Sequence, residues 1–188
     1  MFSGKSTALV QRMEKYLYAN KKIILVRPHK DDRGYLTHSG FGLKNKFEQL
    51  IAIEYMSEIT EEDCRRWDSS DASALFIDEY FMIKNCKNLV HMKNIDIYLA
   101  GLLATSEGTL FDEARDILPF CTSIKLLKAV CSKCGKEANM SGYIGQTKKT
   151  EDVVVDTNDD LYKPLCITCW QELNESKKNQ LSLLDNSN

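Results

Sequence analysis

Hydrophobic residues in the first 130 positions of this chain recur at two spacings, one helical and one typical of buried strands. Apolar residues three or four positions apart over 6–18 predict an amphipathic helix. Short continuous apolar runs predict strands that are buried on both faces; they lie at 23–26, 50–53, 74–77, 95–100 and 123–130. Helices are predicted after Thr60, around 85–92 and over 109–118. This alternation indicates an open, doubly wound, mostly parallel α/β sheet, which binds ligands at the carboxyl ends of its strands.

The first seven residues, Met-Phe-Ser-Gly-Lys-Ser-Thr, match the end of a phosphate-binding P-loop. Backbone N–H groups at the N-terminus of the following helix hold phosphate oxygens, and the lysine adds a positive charge. The sequence therefore predicts a nucleotide site, formed by Ser3, Gly4, Lys5, Ser6 and Thr7.

The strand predicted at 74–77 ends in two acidic residues, Asp78 and Glu79. A magnesium ion opposite a P-loop requires a hard carboxylate, which Asp78 offers, and a hydroxyl group, which Ser6 offers. Glu79 has two chemical roles open to it. It aligns water in an ATPase, or it accepts the proton of an acceptor hydroxyl in a kinase. These residues alone do not separate the two roles.

Four of the seven cysteines form two C-x-x-C pairs, Cys131 with Cys134 and Cys166 with Cys169, separated by 31 residues. Each pair sets two thiolates on one tight turn, and two such turns close a tetrahedron around Zn²⁺. All four ligands come from the protein, so we predict a structural zinc that holds the intervening segment in place. The other three cysteines have no such partners and are predicted to be packing or surface residues.

Charge and composition limit the other classes of function. The chain has 25 basic and 27 acidic residues, which argues against an electrostatic nucleic-acid binder. No apolar run reaches membrane-spanning length and no secretory signal precedes the phosphate loop, so we expect a cytoplasmic protein without a membrane partner. We expect a P-loop domain at 1–128, a zinc-binding domain at 129–172 and a disordered tail at 173–188.

Further short motifs occur in the same order as in one known family. They are Asp31-Asp32-Arg33 with Thr37-His38, Ile77-Asp78-Glu79, Ala100-Gly101-Leu102, Leu118-Pro119, Lys128-Ala129-Val130-Cys131 and Tyr162-x-x-x-Cys166. Together with the phosphate loop and the cysteine pairs, they make the sequence similar, over residues 1 to about 170, to the zinc-containing thymidine kinases. This type of thymidine kinase is found in animal cytosol, bacteria and large DNA viruses.

The resemblance implies a salvage reaction in which the γ-phosphoryl group of ATP moves to the 5′-hydroxyl of thymidine or a related deoxynucleoside, giving dTMP and ADP. It implies that Lys5 and the loop amides hold the phosphates, and that Ser6 and Asp78 hold Mg²⁺. It assigns Glu79 as the general base, and gives Arg33 the role of offsetting charge on the transferred group.

In that family the segment between the zinc ligands is a lasso that lies over the nucleoside. The resemblance therefore implies base or sugar contacts from the lasso and a pocket wall from the sheet. The base or sugar contacts would come from Ser141, Val155 and Tyr162, and the wall from Met1, Met82, Leu102 and Phe111. It also implies a homotetramer in the cytoplasm, or in the host cytoplasm if the chain is viral.

Some residues depart from the family pattern. Tyr80 and Phe81 follow Asp-Glu where a small residue and then Gln or His are usual, and Leu103 and Ser106 replace a polar and an aromatic residue. These departures bear on nucleoside preference more than on phosphate chemistry. Two alternatives stay open: a catalytically impaired or regulatory relative that binds nucleotide without turnover, and a P-loop ATPase whose zinc knuckles grip nucleic acid.

The phosphate loop is also incomplete in this sequence. Its full pattern, G-x-x-x-x-G-K-[ST], requires a glycine five positions before Gly4 and a buried strand ahead of it. We expect a sheet that lacks its usual first strand, with an open groove between the two neighbours of that strand. Our hypothesis is that the chain is an N-terminally incomplete version of a functional enzyme, or that its true start lies upstream.

Overall fold

The structure, a computed structural model, describes residues 2–29, 46–145 and 161–185. These residues form two compact units. The first, here called the sheet unit, is Gly4–Leu103 with Leu110–Ile124. The second, the cysteine unit, consists of the described residues of Met1–Ser3, Ala104–Thr109 and Lys125–Asn188.

Four parallel strands form the centre of the sheet unit, in the order β2-β1-β3-β4. Their bounds are β1 (Ile23–Pro28), β2 (Ile51–Met56), β3 (Ala74–Asp78) and β4 (Asp96–Ala100). Every residue of β1 and β3 is buried, which explains why their sequences are mostly apolar runs rather than alternating patterns. The strands predicted at 23–26, 50–53, 74–77 and 95–100 are thus confirmed, each within a few residues.

Helices cover both faces of this sheet, so the doubly wound α/β fold is confirmed. One face is covered by α1 (Lys5–Tyr18), whose apolar stripe packs on Leu25 and Phe76. The alternate strand residues, Ile24 and Leu75, lie on the opposite face, because successive side chains of a strand point to opposite sides. The elements that pack there include α2 (Glu61–Asp68), a 3₁₀ helix (Cys86–His91) and α3 (Asp112–Ile117).

The helix predicted around 85–92 is a 3₁₀ helix rather than an α-helix. Its start is held by Glu113, whose carboxylate accepts the backbone N–H groups of Asn85 at 3.0 Å and Cys86 at 2.8 Å. Asn85 has a φ of 62°, a left-handed conformation that asparagine tolerates better than most residues. A residue far along the chain thus selects the geometry of this helix, and local hydrophobic spacing does not encode such a contact.

One prediction about strands is wrong. Of the strand predicted at 123–130 only β5 (Ala129–Val130) forms, and it pairs with β6 (Glu137–Ala138). No described strand pairs with residues 122–128, and an apolar run becomes a strand only where a partner offers backbone groups. The four described strands are consecutive neighbours in the sheet, and the groove beside a missing first strand stays a prediction. Among the described strands, β4 has a neighbour on one side only.

The cysteine unit contains two short antiparallel ladders and one long helix. Besides β5 and β6, β7 (Met140–Tyr143) pairs with β8 (Tyr162–Leu165), and α4 (Ile167–Asp185) follows. The sequence predicts disorder from residue 173, but α4 continues through Asp185, because its first turn is anchored in the small apolar core of this unit. Within the described ranges, no helix combines the length and the apolar content that a membrane span needs.

Glu54 of β2 links the sheet to α2, and we predict that this link depends on pH. Its carboxylate accepts two hydrogen bonds from Arg66, at 2.7 and 2.8 Å, and one from Trp67 Nε1 at 3.2 Å. The Arg66 bonds lower the pKa of Glu54 below its ordinary value of 4.5. A lowered folded-state pKa contributes stability above the unfolded-state value, and that stability is lost as the pH falls through the folded-state value.

We expect Glu54→Gln to lower the free energy of unfolding by about 1 kcal/mol at pH 7, since Arg66 is half exposed and solvent screens the pair. The difference from wild type should shrink below about pH 4.5, as the wild-type carboxylate becomes protonated. Urea unfolding followed by circular dichroism at pH 7 and pH 3.5 measures both values. Glu62→Gln, which alters an exposed carboxylate of α2, is the control. If Glu54→Gln lowered the free energy of unfolding by the same amount at both pH values, the prediction would be contradicted.

Candidate functional site

The N-terminus of α1 has the geometry of an anion site. Gly4 precedes the helix with a φ of 77°, a left-handed conformation that favours glycine, and its carbonyl accepts the first helical hydrogen bond from Ala8 N–H at 2.9 Å. The N–H groups of the first helical turn have no carbonyl partner within the helix. They belong to Lys5, Ser6 and Thr7, which are the residues of the predicted phosphate loop. Ser3 lies in the preceding bend.

Helix α1 runs antiparallel to β4, and side-chain contacts establish the alignment. Tyr16 Oη donates to the carboxylate of Asp96 at the start of β4, and Arg12 Nη2 donates to Tyr98 Oη at 2.8 Å. Four residues of helix and two residues of strand each span about 6 Å. Four more residues towards the N-terminus of α1 and two more towards the C-terminus of β4 therefore bring the first turn of the helix level with Ala100, the last residue of the strand. The N-terminus of α1 therefore lies at the carboxyl edge of the sheet.

Asp78 and Glu79 lie at the same edge. Asp78 ends β3, pairs in register with Ala100 and is only 2% exposed. The backbone N–H of Glu79 donates to Asp78 Oδ1 at 3.1 Å, and Glu79 has a φ of 50°, so the chain turns sharply after the strand. The structure thus brings the glycine-lysine-serine turn and the acidic pair to one edge of one sheet, and this juxtaposition suits the binding of a phosphate with a divalent cation.

Arg27 is a candidate that the sequence analysis missed. It follows four apolar residues in β1 and is only 3% exposed, which is rare for an arginine. The ladder pairs Val26 with Ile77, so Arg27 and Asp78 are the next residues along two hydrogen-bonded strands. By strand alternation both side chains leave the sheet on the face that α1 covers. The sequence does contain a pattern that could have identified this residue: an arginine follows a continuous stretch of apolar residues and directly precedes a proline.

Three of the residues expected in the pocket wall follow the carboxyl ends of the strands in the sheet unit. Met82 ends a 3₁₀ turn that follows Glu79, Leu102 lies two residues beyond β4, and Phe111 immediately precedes α3. All three are half-buried. The fourth, Met1, lies outside the described residues, as do Arg33 and Val155.

The aromatic residues Tyr80 and Phe81 are packed beside this wall. Tyr80 is buried, and a methyl group added at Gly101 would come within 2.7 Å of its ring. Phe81 stacks obliquely on Phe111, with 4.6 Å between ring centroids. Burial raises the pKa of Tyr80 to about 12, so the phenol is neutral at physiological pH. Compared with the residues usual in the family pattern, Tyr80 and Phe81 therefore add side-chain volume, and no charge, next to the end of β4.

The four paired cysteines converge in the cysteine unit. Their Sγ atoms all lie within 4.8 Å of one another, and those of Cys134 and Cys166 are 3.6 Å apart. Tetrahedral zinc with bonds of about 2.3 Å requires sulfur separations of about 3.8 Å. Cys131 and Cys134 share a tight turn, in which Gly135 N–H donates to Cys131 O at 2.9 Å, and Cys166 and Cys169 flank the start of α4. The cluster is compatible with a structural zinc.

The electrostatics of the cluster also suit a bound cation. Backbone N–H groups, foremost that of Cys166, lower the pKa of Cys131 to about 6. Loss of solvent, together with the neighbouring sulfurs, raises the pKa of Cys169 to about 12. Four thiolates at this spacing repel one another strongly, and a divalent metal offsets that repulsion while it keeps all four deprotonated.

Ser141 and Tyr162 lie on the β7–β8 ladder of the cysteine unit. Ser141 is paired in register with Pro164, and Tyr162 is paired with Tyr143, whose ring centroid is 5.2 Å away. Both residues are half-buried. The ladder ends one residue from the start of α4, and Leu165 of β8 shares a small core with Cys166 and Cys169 of the second cysteine pair.

Comparison with known proteins identifies relatives along nearly the whole chain. A family model described as thymidine kinase matches residues 1–170. The thymidine kinase of vaccinia virus (strain Ankara) is 31% identical over 177 residues, which cover 90% of this chain and 92% of the viral protein. The thymidine kinase of variola virus (isolate Human/India/Ind3/1967) is also 31% identical, and that of monkeypox virus is 30% identical, with the same coverage. The family match includes the phosphate loop, the acidic pair and all four clustered cysteines.

We predict that the chain binds one zinc ion at the cysteine cluster and that Cys134→Ser weakens this binding at least about a hundredfold, because one of four ligand bonds is lost. The loss should also lower the unfolding temperature of the cysteine unit. Zinc content after gel filtration and a competitive chelator titration measure the effect. Cys121→Ser removes a thiol outside the cluster and is the matched control. Equal zinc affinity in the two variants would contradict the prediction.

Proposed function

This chain belongs to the thymidine kinase family, and we propose that it transfers the γ-phosphoryl group of ATP to the 5′-hydroxyl of thymidine, giving dTMP and ADP. One observation supports the proposal above the others: the N-terminus of α1 and the Asp78–Glu79 pair share the carboxyl edge of one parallel sheet. A phosphoryl-transfer site needs an anion cradle and a carboxylate pair within reach of each other.

In the proposed site the phosphates of ATP lie at the N-terminus of α1. The free N–H groups of Lys5, Ser6 and Thr7 donate to phosphate oxygens, with Gly4 allowing close approach and Ser3 completing the loop. The Lys5 ammonium adds a positive charge to the outer phosphates. Ser6 and the buried Asp78 have the donor types that Mg²⁺ prefers, and the ion would neutralise charge on the phosphates when bound.

Glu79 is the proposed general base on the 5′-hydroxyl. Its position directly after Asp78, on a sharply turned backbone, suits a carboxylate that faces the acceptor rather than the metal. Arg33, which lies outside the described residues, is proposed to offset charge on the transferred group. Both assignments rest on the family resemblance together with the location of Glu79.

The family resemblance supports two sets of proposed nucleoside contacts: apolar side chains of the sheet unit, and groups of the segment that joins the cysteine pairs. The apolar wall consists of Met82, Leu102 and Phe111, with Met1; the contacts to base or sugar come from Ser141, Val155 and Tyr162. The structural zinc would keep that segment folded. We further propose a homotetramer that acts in the cytoplasm, or in the host cytoplasm if the chain is viral.

A second candidate is a relative that binds nucleotide without turnover. The observation that favours it is the aromatic pair Tyr80 and Phe81, which takes up space beside Gly101 and Phe111 where the family pattern has smaller or polar residues. The other alternative, an ATPase with nucleic-acid-binding zinc knuckles, has less support, since acidic residues outnumber basic ones by 27 to 25.

An ATP-dependent phosphorylation screen over thymidine, deoxyuridine, deoxycytidine and the purine deoxynucleosides tests the proposed function. We expect monophosphate to form with thymidine in preference to the others, because the family match covers residues 1–170. Monophosphate formation is measured by chromatography with radiolabelled ATP. ATP binding without any monophosphate would support the regulatory alternative. Salt-dependent DNA binding with ATP hydrolysis would support the ATPase alternative.

We predict that Glu79→Gln lowers kcat for thymidine phosphorylation by roughly 10²–10⁴-fold, the usual contribution of a general base, and leaves the Kd for ATP unchanged. Steady-state kinetics and an equilibrium ATP-binding titration separate the two effects. Glu62→Gln, which alters an exposed carboxylate of α2, should retain wild-type kcat. Turnover within threefold of wild type for Glu79→Gln would remove Glu79 from the role of base.

A further inference from the structure

The loop Ala104–Thr109 begins four residues after the end of β4 and belongs to the cysteine unit. It is closed by its own hydrogen bonds. Thr105 N–H donates to Thr109 O at 2.8 Å, Gly108 N–H donates to Thr105 O at 3.2 Å, and the two threonine hydroxyls are 2.9 Å apart. The loop is therefore a compact turn closed by its own hydrogen bonds, and its position depends on contacts from residues outside it.

Trp170 holds this turn by two contacts. Its indole Nε1–H donates to the carbonyl of Ser106 at 2.8 Å, and Ser106 is buried, with 7% of its surface exposed. The face of the turn at Gly108 lies against the same ring, where a methyl group would come within 3.0 Å of the indole. Gly108 also has a φ of 85°, so glycine is required there both by the backbone and by the close approach of the ring.

The indole is itself fixed by the cysteine cluster. Trp170 directly follows Cys169, and its backbone N–H donates to Cys166 O at 3.0 Å in the first turn of α4. The side chain also packs on the small core that contains Cys131, Cys166 and Cys169. A displacement of Cys169 therefore displaces the indole, and the indole in turn is bonded to the turn at Ser106.

We propose that Trp170 is a positioning residue through which the four-cysteine cluster sets the placement of the loop Ala104–Thr109. Metal at the cluster keeps the first turn of α4 formed, the indole keeps its bond to Ser106, and the loop stays in one position. The consequence for catalysis rests on the proposed function, because the loop begins two residues after Leu102, a proposed wall of the nucleoside pocket. Zinc would then affect nucleoside binding through the indole as well as through the folding of the cysteine unit.

Hydrogen exchange of the zinc-loaded protein tests the tether directly. Trp170→Phe removes the N–H donor and part of the ring, and we expect the protected amides of Thr105 and Gly108 to exchange roughly 2- to 10-fold faster, the effect of one lost hydrogen bond. Glu172→Gln is the matched control, since it alters another residue of α4, whose carboxylate pairs with Lys133 at 2.7 Å, and leaves the indole intact. Unchanged exchange at Thr105 and Gly108 in a Trp170→Phe protein that retains its zinc would overturn the proposal.

A second variant tests the tether from the side of the loop. Gly108→Ala introduces a methyl group against the indole without altering α4, and we expect faster exchange at Thr105 together with a changed Trp170 emission, because backbone strain at Gly108 alone would not displace the ring. It also provides a readout if Trp170→Phe fails to fold. Slow, wild-type exchange in Gly108→Ala would show that the ring does not hold the loop, and would count against the proposal.

Tryptophan fluorescence reports the link to the metal. The chain has two tryptophans, and Trp67 is completely buried in the sheet unit, so we expect the emission change on zinc chelation to come from Trp170. The change should vanish in Trp170→Phe, and chelation of wild type should bring loop exchange to the level of that variant. An equal emission change in both proteins would overturn the link between the cluster and the indole.

Kinetics test the consequence for the reaction. We expect Trp170→Phe to raise the KM for thymidine roughly 2- to 10-fold with the KM for ATP unchanged, because the loop begins two residues after Leu102, a proposed residue of the nucleoside wall. An equal rise in both KM values would overturn this consequence. If the wild-type chain phosphorylates no nucleoside, the proposed function fails, and the exchange and fluorescence results still decide whether the tether exists.

Discussion

The pairing of β1 with β3 is the constraint on which the rest of the structure depends. Both strands are buried along their whole length, so each backbone N–H and C=O must find a partner in the sheet. Parallel pairing meets that requirement and also brings the ends of the strands to one edge. Charged residues such as Arg27 and Asp78 can lie at this edge because the preceding residues of both strands are packed in apolar clusters on the two faces of the sheet.

Much of this architecture follows from local sequence. Continuous apolar runs predict the four parallel strands, Gly4 and Lys5 predict the start of α1, and Thr60 with Asp63 forms a capping box that starts α2. The spacing of the cysteines predicts a cluster, because two C-x-x-C turns have few other arrangements that bury their thiols together. The strands and helix starts depend on residues close in sequence, and the cluster depends on the preference of paired cysteines for a shared metal ion.

The features that sequence did not predict depend on distant contacts. Glu113 holds the start of the 3₁₀ helix at Asn85, and the bond from Trp170 to Ser106 joins residues 64 positions apart. The apolar run at 123–130 predicts a strand, yet only its last two residues have a pairing partner among the described strands. Hydrophobic spacing records which residues prefer burial, and it does not record which other segment covers them.

The close approach of Tyr80 to Gly101 has a consequence for how this edge of the sheet can vary. Any side chain at position 101 would overlap the tyrosine ring, which is itself held in the core. A larger residue at 101 is therefore compatible with the fold only if position 80 becomes smaller at the same time. The two positions are sterically coupled, and redesign of the proposed nucleoside pocket along this wall must change them together.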